Sequence, residues 1–275
     1  MSENIHEPIH DLFNHWRNGS GEAGQTMAQR IADWYYAIAV THLGEADGQD
    51  ACESACGQFS ANAANFSSSS ELVHWCQDTI HHTMGRHTPG VASMTMTGTF
   101  TLDCPPRELL AIAWQELPDD MLILAHCYGG DTDMKTLTSL SEQGSGFPLE
   151  ILNARTRLKT WLHSQHDVPF SISESAISAD WATMPIYESG RMTDPMEIRQ
   201  FESWLLDTPD LSRDIAEFAH FAIALRDHQC MKLGNTTGLN TSSHEGKRPS
   251  QQQKLILVGF LLGLAAIIAV LMEWI

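Results

Sequence analysis

The run LILVGFLLGLAAIIAVLMEWI, from Leu255 to Ile275, constrains this chain more than any other stretch, because it is apolar until Glu273. An α-helix needs about 20 apolar residues to cross the roughly 30 Å hydrocarbon core of a bilayer. Only a helix can cross as a lone segment, since it satisfies its own backbone hydrogen bonds. A buried core helix of this length would carry a polar stripe, and this run has none, so it reads as a transmembrane helix. Trp274 suits the headgroup level, and Lys247, Arg248 and Lys254 just before the run favour the cytoplasmic side. The opening MSENIHEP has neither a charged n-region nor an apolar stretch and does not read as a secretory signal. The expectation is a single-pass protein of the inner (cytoplasmic) membrane with its N-terminal body in the cytoplasm. Gly259 and Gly263 form a small-xxx-small pair. That spacing can suit a homodimer through the span, although ordinary transmembrane glycine usage is the favoured account of it.

The formal net charge of -18 works against nucleic acid, whose non-specific binding is mostly phosphate neutralisation by Lys and Arg. Six cysteines are scattered without a CxxC pair. In a cytosolic setting they read as reduced, buried small apolar residues. Cys52, Cys56, His74 and Cys76 match no common zinc spacing, so no metal is assigned. His81, His82 and His87 read as a solvated helix end.

Helical periodicity fills the rest. Ile9, Leu12, Phe13 and Trp16 follow i, i+3, i+4, i+7 spacing, and Met27, Ile31, Trp34, Tyr35 and Ile38 form a second stripe ending at Gly44. A third helix is expected over 49–59, a polar loop after it, and a fourth over 71–82 capped by Ser70. Residues 109–116, 118–128, 133–142 and 148–164 read as four more, with glycine turns at 129–130 and 144–146. A Ser-rich linker covers 168–179, and Trp181 to about Arg226 form two or three helices. The fold class is all-α. Two small helical domains occupy 1–88 and 106–167, joined by a linker over 89–105, and the second is helix-turn-helix-like. A third small helical segment spans 180–230, a flexible tether 231–254 and one transmembrane helix 255–275.

Three stretches resemble a known family in order. DLFNHWRNGSGEAGQTMAQRIADWYY and SSSSELVHWCQDTIHHTMGRH resemble the core-binding domain of extracytoplasmic-function sigma factors. PPRELLAIAWQELPDDMLILAHCYGG and LEILNARTRLKTWL resemble that family's promoter-reading helix-turn-helix. MPIYESGRMTDPMEIRQFESWLLDTPDLSRDIAEF resembles zinc-binding anti-sigma domains, which often precede a single span. The resemblance implies RNA polymerase, or another cytosolic protein, as partner through Trp34, Tyr35, Tyr36 and Trp75. It implies DNA contacts by Arg155, Arg157 and Lys159, and an intramolecular clamp through Trp204, Leu205 and Phe218.

Departures from the family pattern matter. Phe147, Pro148, Leu149 and Glu150 stand where the reading helix carries basic and small polar residues, and this net charge favours reading Arg155, Arg157 and Lys159 as solvated positions on an amphipathic helix over DNA contacts. Thr208 and Leu211 replace the anti-sigma Cys-x-x-Cys pair and cannot bind zinc. The third segment must therefore fold by packing alone, around Trp204, Leu205, Leu211 and Phe218. No GxxxxGK[ST], HExxH, GxSxG or GxGxxG occurs. The sequence supports no enzyme and no cofactor. Two expectations follow: a membrane-tethered sigma-like regulator with a built-in inhibitory segment, or a tail-anchored scaffold that reuses the fold for protein interaction.

Overall fold

A computed structural model of the chain describes residues 7–86, 104–129, 147–170 and 183–227, with backbone alone at 147–149. The described residues are helical, with no strand among them. The expected span 255–275 with Gly259 and Gly263, the tether, nearly all of the 89–105 linker and the expected helix 133–142 lie outside the described residues. Among the described residues no helix is long and apolar enough to cross a membrane.

The first module holds α1 (Ile9–Arg17), α2 (Gly21–Leu43), α3 (Glu45–Asn62) and α4 (Ser69–Arg86). Ser20 starts α2 by accepting from the Ala23 amide at 3.2 Å, a side-chain oxygen satisfying one of the orphan donors of a helix start. Gly44, at φ +83°, turns α2 into α3 in a backbone conformation that L side chains rarely adopt. Four residues on, Gly48 lets the two helices touch. A Cβ there would lie 2.8 Å from the Val40 backbone. The helix α3 runs longer than the expected 49–59, because it starts directly after Gly44, with Glu45 and Asp47 in its first turn and Gly48 already buried against Val40. The start of α4 is set by Ser68 rather than Ser70: Ser68 Oγ accepts from the Glu71 amide at 3.2 Å, while Glu71 reaches back to the Ser67 amide at 2.9 Å. This is a capping box shifted by one residue.

The second module comprises α5 (Pro106–Glu116), α6 (Pro118–Tyr128) and α7 (Phe147–His166). The third segment comprises α8 (Met184–Glu188), α9 (Pro195–Asp207) and α10 (Pro209–Arg226). Proline opens α5, α6, α9 and α10, where its missing amide costs no hydrogen bond. After α7 the chain does not leave as a linker at residue 168. Val168 and Phe170 are buried, and Phe170 packs on Phe221 at 5.7 Å.

The third segment has no core of its own, contrary to the expectation for Trp204, Leu205, Leu211 and Phe218. Its α10 carries apolar residues at Leu211, Ile215, Phe218, Ala222 and Leu225, a continuous stripe at three- and four-residue spacing. Leu211 and Ile215 join Leu205 and Phe201 in the core of the first module, beside Trp34, Ile38 and Ile80. Phe218, Ala222 and Leu225 join Leu110, Tyr128 and Leu158 in the core of the second. One helix therefore completes two cores, lying along α2 and against α5 and α6.

Candidate functional site

The feature of this fold with the most chemistry is the seam between the third segment and the two modules, because buried charge collects there. On the second-module side, α7 presents Arg155 and Lys159, one turn apart on one face. Both are buried. Arg155 Nη2 donates to Glu188 at 2.8 Å, and its Nη1 donates to Asp214. Lys159 Nζ pairs with Asp214 and lies 3.5 Å from Glu217. The Tyr128 hydroxyl donates to the other oxygen of Glu188 at 2.5 Å. Arg155 also covers the Phe218 ring at 4.1 Å, a cation–π contact strengthened by exclusion of water.

These groups hold one another's charge states. Burial opposes the Arg155 charge, yet Asp214 and Glu188 keep the guanidinium more firmly protonated than in water. Burial likewise opposes ionisation of Asp214, and Arg155 with Lys159 overcomes it, holding the carboxyl below its usual range. Glu188 goes the other way: burial pushes its pKa up despite Arg155 and Tyr128. Removing one member would leave its partner buried and uncompensated.

On the first-module side, Glu202 of α9 is fully buried. His81 Nε2 meets its two carboxylate oxygens at 2.9 and 3.0 Å, and the Tyr187 hydroxyl donates to it at 3.1 Å. His42 stands behind Tyr187, its Nε2 3.3 Å from the hydroxyl. The backbone of the segment is held too. Trp34 Nε1 donates to the Glu202 carbonyl at 2.8 Å, and Gln77 donates to the Arg199 carbonyl at 2.7 Å. The Ile9 amide donates to Asp207 at 2.8 Å, and His220 pairs with Glu45 at 3.1 Å. Hydrogen bonds to a charged acceptor contribute more than neutral ones.

The expected site residues divide accordingly. Arg155 and Lys159 face carboxylates of their own chain rather than solvent, which corrects the solvated-surface reading for them and leaves neither open to an external phosphate in this arrangement. Arg157 is half-exposed, and its Nε donates to both oxygens of Asp120 at 2.9 Å, so its fork is already engaged. Trp34 and Tyr35 are fully buried and stacked at 5.3 Å, which corrects their reading as a partner-binding surface. The ring of Trp34 belongs to the seam itself. Tyr36 and Trp75 are partly buried, Trp75 tilted over Phe66 at 5.2 Å. Leu205 and Phe218 do lie in the seam, in different cores. Trp204 is partly buried against Phe201 at 5.7 Å. Thr208 ends α9, and Leu211 is wholly buried. Of the three histidines read as a solvated end, His81 is half-buried on Glu202, His82 meets Arg86 at 2.7 Å, and His87 lies outside the described residues.

Sequence reasoning missed Glu188, Glu202, Asp214 and Tyr187. Glu202 did carry a signal. It sits four residues after Ile198 and three and four before Leu205 and Leu206, a carboxylate on an apolar helical face. Among the described residues no three His, Cys, Asp or Glu side chains are grouped to hold a metal ion. No family model, no curated protein and no solved structure matches this chain.

Proposed function

We propose that the chain is a non-enzymatic, membrane-tethered transcription regulator of the sigma-factor type, held closed by its own third helical segment. One observation carries the reading: Arg155 and Lys159, the basic pair that the resemblance assigns to DNA, are buried beneath Glu188, Asp214 and Glu217 of that segment. Cations suited to phosphate are occupied by the chain's own carboxylates. Because the segment is covalently joined, it competes with any external ligand at an effective concentration on the order of millimolar. Exposure of Arg155 and Lys159 then requires proteolysis, or a partner that displaces α9 and α10 from both cores. The partner in this reading is RNA polymerase. The apolar run 255–275 anchors the chain in the inner membrane, and Gly259 with Gly263 allows two spans to pair.

A second reading has its own support. Trp34 and Tyr35 are core residues, and the net charge is -18, which together favour a tail-anchored scaffold that meets proteins and not nucleic acid.

Affinity purification of the full-length chain from detergent-solubilised membranes tests the two. Wild type is compared with the double variant Trp34→Phe, Glu202→Gln, which removes a hydrogen bond and an ion pair from the seam. Polymerase enriched with the loosened variant over wild type, with salt-sensitive promoter binding, supports the regulator. Polymerase absent from both, with other proteins retained, leaves the scaffold. Extraction by alkaline carbonate would argue against the anchor.

A further inference from the structure

Helix α10 lies in the seam as in a slot. Over residues 209–226 Arg213 alone is exposed, and the stripe of Leu211, Ile215, Phe218, Ala222 and Leu225 is wholly buried. The slot is walled by α2, α5 and α6. Along one edge α7 sets the buried cations Arg155 and Lys159. Asp214 answers both of them, and Glu217, three residues on, lies 3.5 Å from Lys159. Helical spacing puts these two carboxylates on the same flank of the stripe. The Arg155 guanidinium covers the Phe218 ring at 4.1 Å. The slot therefore reads apolar and acidic positions of one helix together.

We infer that this slot is a receptor for an acidic amphipathic helix of another protein, which takes the place of α10. Such a helix would leave Arg155 and Lys159 paired, so the inference rests on the protein-binding scaffold reading of the chain. The chemistry of the partner follows from what the slot must satisfy. Its walls take apolar residues at i, i+4, i+7, i+11 and i+14, the spacing of the α10 stripe. An aromatic ring belongs at i+7, beneath the Arg155 guanidinium, and a small residue at i+11, where α10 has Ala222. Carboxylates belong at i+3 and i+6, the places of Asp214 and Glu217. A neutral or basic helix would leave two buried cations without counter-charge. This is helix-in-groove recognition, with apolar anchors giving affinity and the charged flank selecting the partner.

The probe is a fluorescein-labelled peptide of residues 208–227, titrated into the full-length chain in detergent and followed by anisotropy. Wild type fills the slot with its own tethered helix, at an effective concentration on the order of millimolar, and should bind the peptide weakly. Phe218→Ala puts a defective helix in cis and should bind the peptide about 100-fold more tightly, the cost of the lost ring. The double variant Trp34→Phe, Glu202→Gln keeps α10 intact and loosens only the hold on α9, and it too should bind more tightly than wild type. A peptide carrying Asp214→Asn and Glu217→Gln should bind both variants about 30-fold less tightly. Equal binding by that neutral peptide would sink the charge assignment, and no binding of the acidic peptide to either variant would overturn the slot. A dimer of the Phe218→Ala chain that the peptide dissolves would give the slot to a second copy, against the inference. Peptide failure while affinity purification still retains other proteins leaves the scaffold reading standing without the slot, whereas polymerase enrichment with promoter binding removes the scaffold reading itself.

Discussion

Glu202 ties the behaviour of the seam to proton concentration through the two histidines around it. Its hydrogen bond to His81 raises the His81 pKa against the opposing effect of burial, with Arg199 lowering and Asp78 raising it further. The folded chain therefore binds this proton more tightly than the unfolded chain does. The contribution is complete below the ordinary histidine value of about 6.5 and is lost as pH rises through the folded value. His42 acts in the opposite sense. Burial, then Arg226 and His81, lower its pKa to about 4. The unfolded chain takes up that proton first, so stability falls as pH drops from about 6.5 toward 4. Urea midpoints measured against pH should pass through a maximum near the ordinary histidine value of about 6.5, falling on the acid side through His42 and on the alkaline side through His81. Glu202→Gln should flatten the alkaline side, and His42→Gln the acid side. An unchanged alkaline slope in Glu202→Gln would contradict the His81 assignment. Trp34→Phe should cost about 1 kcal/mol, the net value of one hydrogen bond, read from the same midpoints.

At the scale of elements, α7 and α10 are joined by more than apolar contact. Arg155→Ala should destabilise the chain by about 3–5 kcal/mol, since Glu188 and Asp214 would remain buried without their cation. Arg155→Lys should recover only part of that, because a point charge cannot reach both carboxylates as the guanidinium fork does. Phe218→Ala removes a core ring and the surface beneath Arg155 together, and should cost about 3–5 kcal/mol. Equal stability of Arg155→Lys and wild type in chemical denaturation would show that the fork contributes nothing beyond its charge. The shared stripe of α10 also explains why its neighbours cannot be treated separately: a proline within it would open both cores at once.

For the whole molecule, two cores completed by one helix predict coupled unfolding. Tryptophan fluorescence, which reports on both cores through Trp34 in the first and Trp161 against the second, and far-ultraviolet circular dichroism should give coincident single transitions in urea. Two separated transitions would mean that the modules fold independently and that α10 merely rests on them. A chain ending at residue 167 should expose the surfaces of Trp34, Ile38, Leu110 and Tyr128 that α9 and α10 cover. It should associate or bind a hydrophobic dye where the full chain does not.

The sequence alone determined the local structure, because local structure depends on spacing along the chain. The stripe from Met27 to Ile38, the breaks at Gly19 and Gly44, and the prolines opening α5, α6, α9 and α10 are all readable without coordinates. They are enough to make the described residues all-α. The cap falls on Ser68, two residues before the expected Ser70, since four consecutive serines offer equal hydroxyls and only the approach of Glu71 distinguishes them. Periodicity says which face of a helix is apolar, but not what will cover it. That Leu211 and Phe218 serve different cores, that Arg155 meets Glu188 and Asp214, and that Trp34 closes on the Glu202 carbonyl are decided by packing between residues 33 to 168 positions apart. A basic residue on a helix looks the same in sequence whether it faces phosphate, water or a carboxylate. Only the tertiary structure, by burying Arg155 and Lys159 where an unpaired charge could not persist, assigned them to the seam.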